Sequence, residues 1–513
     1  MKKVMKSVMA GSFAAAMLAS GASAADFTSS ADVLKALGLF QGSEAGYELD
    51  RAPDRAEAAT MLVRLLGKEA EAKSYYEANA AKFPFTDMEG GYAWAKPYVA
   101  WLQSQGLTSG ASATTFEPGS KCTAQQYTTF LMRALGYSDA KGGDFTYDNA
   151  IDFATEKNVV DTFNLDEDNF LRDEVVAMSY TALSAAPKSG ETDLLTKLVA
   201  DKAVPEDKAA PVQKTFAALR SFNKAYEAVA ATTSVDGAAN FTMNLKVAEE
   251  SVDVAGKFTV QVKADPAKIQ EMQMSMKGSL TMNVPTEDGK TQKMELPMEM
   301  YVKDGVSYTK FMDQKVKQDM QLDTMLQGID LQSLAGMKRV PLCMVDSISQ
   351  EGNTYKMSYN ADVFNGMFAE IFSQVTGQIE ITEEMKKQGI TEDMLKMSMD
   401  LSKADIEMNF KEGGLYSQKA DMAMSMEVMG QKIDASIVMD VAATKAGDEV
   451  EVSYPSDLDS YKTLEELGTE TEKPADTEKK DDAAADKKEE AENNKKDDAA
   501  SDKKDNAASD KAE

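Results

Sequence analysis

The sequence contains no histidine. That removes imidazole as a general base, as a triad member and as a metal ligand. Cysteine is nearly absent as well: Cys122 and Cys343 are the two in the chain. They lie too far apart in sequence to suggest a disulfide framework or a thiolate metal motif. Positive charge is the minority sign, with 56 Lys and Arg against 85 Asp and Glu and a formal net charge of −29. Such a balance argues against nucleic acid or an anionic lipid surface as a partner. No nucleophile–base pair and no metal-ligand cluster stands out, so a non-catalytic protein without cofactor or metal is expected. Past the N-terminus no run reaches the roughly 18 consecutive apolar residues of a transmembrane helix.

What is present begins with "MKKVMKSVMAGSFAAAMLASGASA". Lys2, Lys3 and Lys6 precede an apolar stretch from Val8 to Ala19, and Ala22-Ser23-Ala24 is a small-x-small cleavage site. This predicts a secretory signal over residues 1–24 and export of the remainder. Ala22 stands where a lipoprotein signal would carry its cysteine, so no lipid anchor is expected. At the other end, residues 456–513 read as a charged low-complexity tail. From Thr469 onward it holds 10 Lys, 16 Asp or Glu and no Val, Ile, Leu, Met or aromatic residue. Such a segment cannot bury enough apolar surface to offset its chain entropy, and a disordered, solvated spacer is expected.

Between these ends the chain repeats itself. "DRAEAATMLVRLLG" (54–67) returns as "TAQQYTTFLMRALG" (123–136), and a more diverged copy spans 145–184. Each copy reads as helix, loop, helix. Gly38 with Gly42, and Gly106 with Gly110, suit helix ends that need a left-handed residue. Asp54 with Glu57, and Thr123 with Gln126, have the spacing of a capping box. Ala59, Leu62, Leu65 and Leu66 then form one apolar helix face, as do Phe130, Leu131 and Leu135.

Residues 25–187 resemble the S-layer homology family. The resemblance rests on Phe85, Asp87 and Trp94 at the repeat entry, on the glycine-marked turn, on Phe116 and Pro118, and on the Asp54-Arg55-Ala56-Glu57 helix start. It implies an all-α bundle of three repeats. It also implies non-covalent binding of an acidic secondary cell-wall polysaccharide or peptidoglycan-linked polymer, and a secreted protein held at the cell wall or in a surface layer. On that resemblance the candidate polysaccharide-binding residues are Arg55, Arg172, Asp87 and Trp94. Arg55 is read as an exposed first-turn cation, able to hold a carboxylate with two parallel hydrogen bonds. Repeat two has Ala124 at the matching position. Repeat three keeps Arg172 but puts Leu171 at the cap. At most two grooves therefore keep the charge. Trp94 could stack on a sugar, although a core position is the default for such a tryptophan. "NLDEDN" (164–169) lacks the glycine and bidentate Glu of a calcium loop and reads as a polar turn.

Residues 188–211 read as a linker rich in Ala, Lys, Asp and Pro with room for one short helix, and 212–455 as a second, α+β domain. It opens with an amphipathic helix carrying Val212, Phe216, Leu219, Tyr226 and Val229. Strands with strict alternation follow. Met272, Met274, Met276, Leu280, Met282 and Val284 share one face, as do Met294, Leu296, Met298, Met300 and Val302. Period two predicts an antiparallel sheet with one apolar and one wet face. Asp288-Gly289, Asp304-Gly305, Gly352-Asn353, Gly413-Gly414 and Gly430 mark its hairpins. Helical inserts are expected near 322–336 and 361–397, laid on the apolar face. The pattern resembles the half-barrels of lipoprotein carriers and of Gram-positive surface lipoproteins, which implies an apolar ligand or partner. Met272, Met274, Met276, Met298 and Met300 are the candidate cavity lining. Ordinary methionine-filled core is the default reading of the same face. The alternative to a binding module is a purely structural envelope protein with no small-molecule ligand.

Overall fold

The computed structural model describes residues 27–463 and residue 466, apart from 162–164, 191, 231–233, 249, 266–267, 269–270, 286–290, 321–338, 366–397 and 429–430. The expected signal peptide, most of the charged tail and most of both helical inserts lie outside the described residues. Residues 361–365 are helical.

The first half is helical: α1 (Thr28–Ala36), α2 (Arg55–Leu65), α3 (Glu69–Asn79), α4 (Lys96–Ser104), α5 (Ala124–Ala134), α6 (Ala150–Glu156), α7 (Arg172–Leu183), α8 (Leu194–Ala200) and α9 (Glu206–Ala230). The first helix of each copy stops at a left-handed residue, Gly38 (φ +78°), Gly106 (φ +71°) or Asn158 (φ +56°). Asparagine tolerates that conformation better than most side chains, which lets the third copy dispense with glycine. The amide of the next residue then closes back on the helix, as in Leu39 N to Leu34 O at 2.9 Å and Leu107 N to Leu102 O at 2.8 Å. The second helices carry the expected capping boxes on Asp54–Glu57 and Thr123–Gln126. At α7 the leucine cap has no acceptor, and only the reciprocal half survives: Glu174 accepts from Leu171 N–H.

The second half is one antiparallel sheet of β1 (Ser234–Val247), β2 (Glu250–Lys263), β3 (Gln273–Pro285), β4 (Thr291–Lys303), β5 (Val306–Phe311), β6 (Gln314–Asp319), β7 (Val345–Glu351), β8 (Thr354–Tyr359), β9 (Ser398–Phe410), β10 (Tyr416–Val428) and β11 (Gln431–Ala446). The order is β6-β5-β4-β3-β2-β1-β11-β10-β9-β8-β7, so β6 and β7, neighbours in sequence, form opposite edges. The predicted face recurs across the strands. Met276 lies opposite Val260 and Met300, and Met282 opposite Val254 and Met294. The Asp304-Gly305 turn has positive φ at both residues, which matches the twist of the hairpin it closes.

Two expected boundaries move. The segment 188–211 is not a free linker: Asp193 caps α8, and Leu194, Leu195 and Leu198 are buried in the core. The short helix allowed for this segment is α8, and what differs from a linker is its burial against the core. The packed chain also runs beyond residue 455. Tyr461 meets Tyr308 edge to face at 5.6 Å, and Lys462 bridges to Val316. Helices and sheet share one continuous hydrophobic core. Phe222 of α9 packs against Tyr355 and Phe410, whose rings lie 5.4 Å away.

Candidate functional site

The capping of α2 fixes the direction in which Arg55 leaves the helix. Asp54 accepts from Glu57 N–H at 2.7 Å, and Glu57 accepts from Asp54 N–H at 3.0 Å. The first turn of α2 is also pinned to the second copy, with Arg55 N–H bonded to Ser120 O and Ala56 N–H to Pro118 O. From there Arg55 Nε donates to Phe116 O at 3.0 Å, and the guanidinium sits 5.0 Å from the centre of the Phe116 ring. Arg55 is therefore not the exposed cation expected from its first-turn position. It is 8% exposed, because the neighbouring copy folds over it. Its Nη1 and Nη2 hold no hydrogen bond among the described residues. A groove of about 300 Å³ opens at this place, lined by Arg55, Thr108, Glu117, Gln126, Arg133 and Tyr147 among others.

Arg172 repeats the arrangement one copy round. Its backbone N–H bonds to Arg51 O, and its Nε donates to Tyr47 O at 3.0 Å. In each case the acceptor is the carbonyl of an aromatic residue in a neighbouring copy. The outcome at the terminal nitrogens differs. Arg172 Nη1 lies 3.4 Å from Glu57 Oε1 and 3.9 Å from Met61 Sδ. Burial pulls the Arg172 pKa down, and Glu57 opposes it. Burial pushes the Glu57 carboxyl up, but hydrogen bonds from Arg51 prevail and hold it below its ordinary value. An internal carboxylate already faces Arg172, whereas the terminal nitrogens of Arg55 have none.

Asp87 does not line the groove. Its carboxylate accepts from Phe116 N–H at 2.9 Å and from Glu117 N–H at 2.7 Å. It thereby fixes the segment whose carbonyl receives Arg55. Trp94 reverses its default: it is 48% exposed, in a 3-10 turn over Gly90–Ala95, while the second tryptophan, Trp101, is buried and donates to Glu71. Trp94 is not among the groove's lining residues. The exposed ring that lines the groove is Tyr147. Arg133 was missed as well. It is held bidentate by Asp139 at 2.9 and 2.6 Å and donates to Leu107 O. Its signal was the arginine shared by "MLVRLLG" and "FLMRALG". The polar-turn reading of 164–169 is met at Asp166, whose side chain accepts from Asp168 and Asn169 N–H.

On the sheet, Met272, Met274, Met276, Met298 and Met300 are all half-buried, and Met294 is 40% exposed. On the same face Val254, Phe258 and Val302 are buried, so its burial is uneven among the described residues. Two cavities open on the polar face of the sheet. One, of about 370 Å³, is lined by Thr242, Asn244, Asp253 and Thr281. The other, of about 310 Å³, is lined by Asn240, Glu407, Asn409 and Lys419.

Residues 84–127, the stretch that supplies Asp87, Phe116 and the start of α5, match the family model of the S-layer homology domain. The chain carries an S-layer homology domain. It is similar to a middle cell wall protein of Brevibacillus brevis, 29% identical over 36% of this chain and 18% of the relative. A surface layer protein of Brevibacillus choshinensis is 30% identical over 28% of this chain and 13% of that protein. An endoglucanase of a Bacillus species is 34% identical over 88 residues, 17% of this chain and 9% of the enzyme. The chain thus spans less than a fifth of the length of these curated relatives. A β-barrel-like protein of unknown function from Brucella abortus aligns with 41% of this chain and 99% of its own at 8% identity, and its TM-score of 0.15 carries no argument. The S-layer homology domain makes this a secreted protein of the cell-wall surface. No helix among the described residues is long and apolar enough to cross a membrane.

Proposed function

We propose that all three helical copies are S-layer homology repeats, and that the chain is held non-covalently to an acidic cell-wall polysaccharide through the groove at Arg55. The observation that carries this reading is the state of its guanidinium. Nε is fixed on Phe116 O, and the two terminal nitrogens at the groove hold no hydrogen bond among the described residues. A carboxylate or other oxyanion on the polymer completes that fork with two parallel hydrogen bonds. Tyr147 offers its exposed ring to a sugar face, and Arg133, anchored by Asp139, adds positive charge. Asp87 is a positioning residue that acts through the Phe116 segment. The guanidinium of Arg172 is met by Glu57, and Ala124 leaves the second copy without a cation at this position. One groove therefore does the binding.

The sheet domain is displayed outward as a curled half-barrel whose methionine face takes an apolar ligand or partner. The half-buried state of Met274, Met276, Met298 and Met300 favours this over a purely structural envelope protein. The protein performs no catalysis; the likeness to an endoglucanase is confined to 88 residues. The test is co-sedimentation of the mature chain with purified cell-wall sacculi. Wild type and Arg172→Ala are expected in the pellet, and folded Arg55→Ala in the supernatant. Equal pelleting of Arg55→Ala sinks the groove assignment.

A further inference from the structure

Thioether sulfur is concentrated on one face of the sheet. Met274, Met276 and Met282 of β3 share it with Met294, Met298 and Met300 of β4, and the register sets Met276 opposite Met300 and Met282 opposite Met294. Met298 faces Gly278, which has no side chain to cover it. The row continues across the seam, from Met282 through Val254, Met243 and Ile437 to Met422 of β10. These methionines keep contact with solvent: Met294 is 40% exposed, and the others are half-buried. Methionine in the helical half is enclosed instead, with Met88 and Met132 fully buried.

No thiol competes with these thioethers for an oxidant. The chain has two cysteines, both buried, and burial pushes the Cys122 thiol up to about 12, so the reactive thiolate does not form there near neutral pH. A thioether needs no deprotonation before it reacts. Modifying the face also leaves its support in place. β3 and β4 pair without a break from Met274 opposite Val302 to Pro285 opposite Thr291, and the bonds of that ladder join backbone groups, not side chains. A sulfoxide on a half-buried side chain can turn its oxygen to water, whereas in filled core the same oxygen is buried without a partner.

We infer that the methionine face is an oxidant sink, whose thioethers are converted to sulfoxides by hydroperoxides while the sheet stays folded. In each event the sulfur lone pair attacks a peroxide oxygen, the O–O bond breaks and an S–O bond forms. The proton on the transferred oxygen passes to the departing hydroxide, which leaves as water. Sulfur loses two electrons and the peroxide gains them. The inference does not depend on the apolar ligand proposed for this face, and a face that binds no apolar probe leaves it standing.

The test is graded hydrogen peroxide treatment of the mature full-length chain, with no ligand added, followed by peptide mass mapping and thermal melting. Met298 and Met300 should gain oxygen at rates near that of Met312, which is 50% exposed. Met88 and Met132 should react at least about tenfold more slowly, because oxidant reaches them through local opening alone. Tm should change little until the face is fully oxidised. The double variant Met298→Leu/Met300→Leu, a near-isosteric change, should consume one oxidant equivalent fewer for each thioether replaced. Should that variant fail to fold, the mass map of the wild type carries the test alone. A face that stays reduced while Met312 is oxidised, Met88 or Met132 modified as fast as Met298, a Tm that collapses before the face is titrated, or unchanged oxidant consumption by the folded double variant would each overturn the inference.

Discussion

The helical copies and the sheet bury their apolar residues to different depths. Leu62, Leu102 and Leu131 are at most 1% exposed, whereas the sheet's methionines stay half-buried across β3 and β4. The helical half holds together by packing, so each buried side chain matters. The sheet is held by continuous ladders of backbone hydrogen bonds, with thirteen register pairs joining β1 to β11 alone, and its side chains on one face are left adaptable. The same contrast separates Arg172, whose guanidinium faces Glu57, from Arg55, whose terminal nitrogens hold no hydrogen bond among the described residues.

The largest effect should come from the packed half. Leu62→Ala is expected to cost about 2–5 kcal/mol, the range for a large-to-small change in a filled core. Met298→Ala should cost about 1 kcal/mol or less, since a half-buried side chain leaves little cavity and loses little transfer energy. Chemical denaturation of both variants checks the pair, and similar losses would break the contrast.

The two arginines should separate by assay. Arg55→Ala is expected to weaken wall binding by about 1–3 kcal/mol, and Arg172→Ala to lower stability by a similar amount with wall binding retained. Because Arg55 is buried and bonded to Phe116 O, its removal should also lower Tm modestly. Asp54→Ala should cost about 0.5–2 kcal/mol of stability through loss of the cap.

The third helical copy should make stability depend on pH. Burial pushes the Glu174 carboxyl up to about 7, opposed by the backbone N–H groups of Leu171 and Asp166. Burial also raises Asp161, against the pull of Arg339. A carboxyl raised in the native state keeps its proton there while the unfolded chain has lost it. Stability present in mild acid should therefore decline as pH rises from about 4.5 toward 7. Glu174→Gln should flatten that decline in Tm, and an unchanged slope would remove Glu174 as its source.

The smallest effect concerns the methionine face. Met298→Trp should leave Tm nearly unchanged where the side chain has open space, and should block a fluorescent fatty acid that wild type binds saturably. In close-packed core the same change typically costs about 1–3 kcal/mol through overpacking.

Much of this was legible in the sequence because the signals were local. The capping boxes, the left-handed Gly38 and Gly106, the alternation through Met274–Met282 and the Asp304-Gly305 turn all depend on residues a few positions apart. What stayed hidden depends on distant chain. Nothing near Arg55 announces that Phe116 will cover it, and nothing near Arg172 announces Glu57. Trp94 was misjudged because tryptophan's bulk favours a core position, while Trp101, seven residues on, holds the buried place. The half-buried methionines could not be told from core by periodicity, since an alternating pattern fixes which residues share a face and not what lies above them.

The strand order also bears on how the molecule assembles. Strands β1–β6 pair in sequence order, and so do β7–β11. Each set pairs strands adjacent in sequence, mostly through short connections, the exception being residues 360–397 between β8 and β9. The seam between them joins Val247 to Ile433 and Val235 to Ala446, roughly two hundred residues apart. Such a contact carries the largest loop-closure entropy in the sheet and is expected to form last. Two meanders should therefore appear early and zip together late along β1 and β11. A backbone cut between residues 320 and 339 should leave both meanders intact and still joined, because no ladder bond runs directly between β6 and β7.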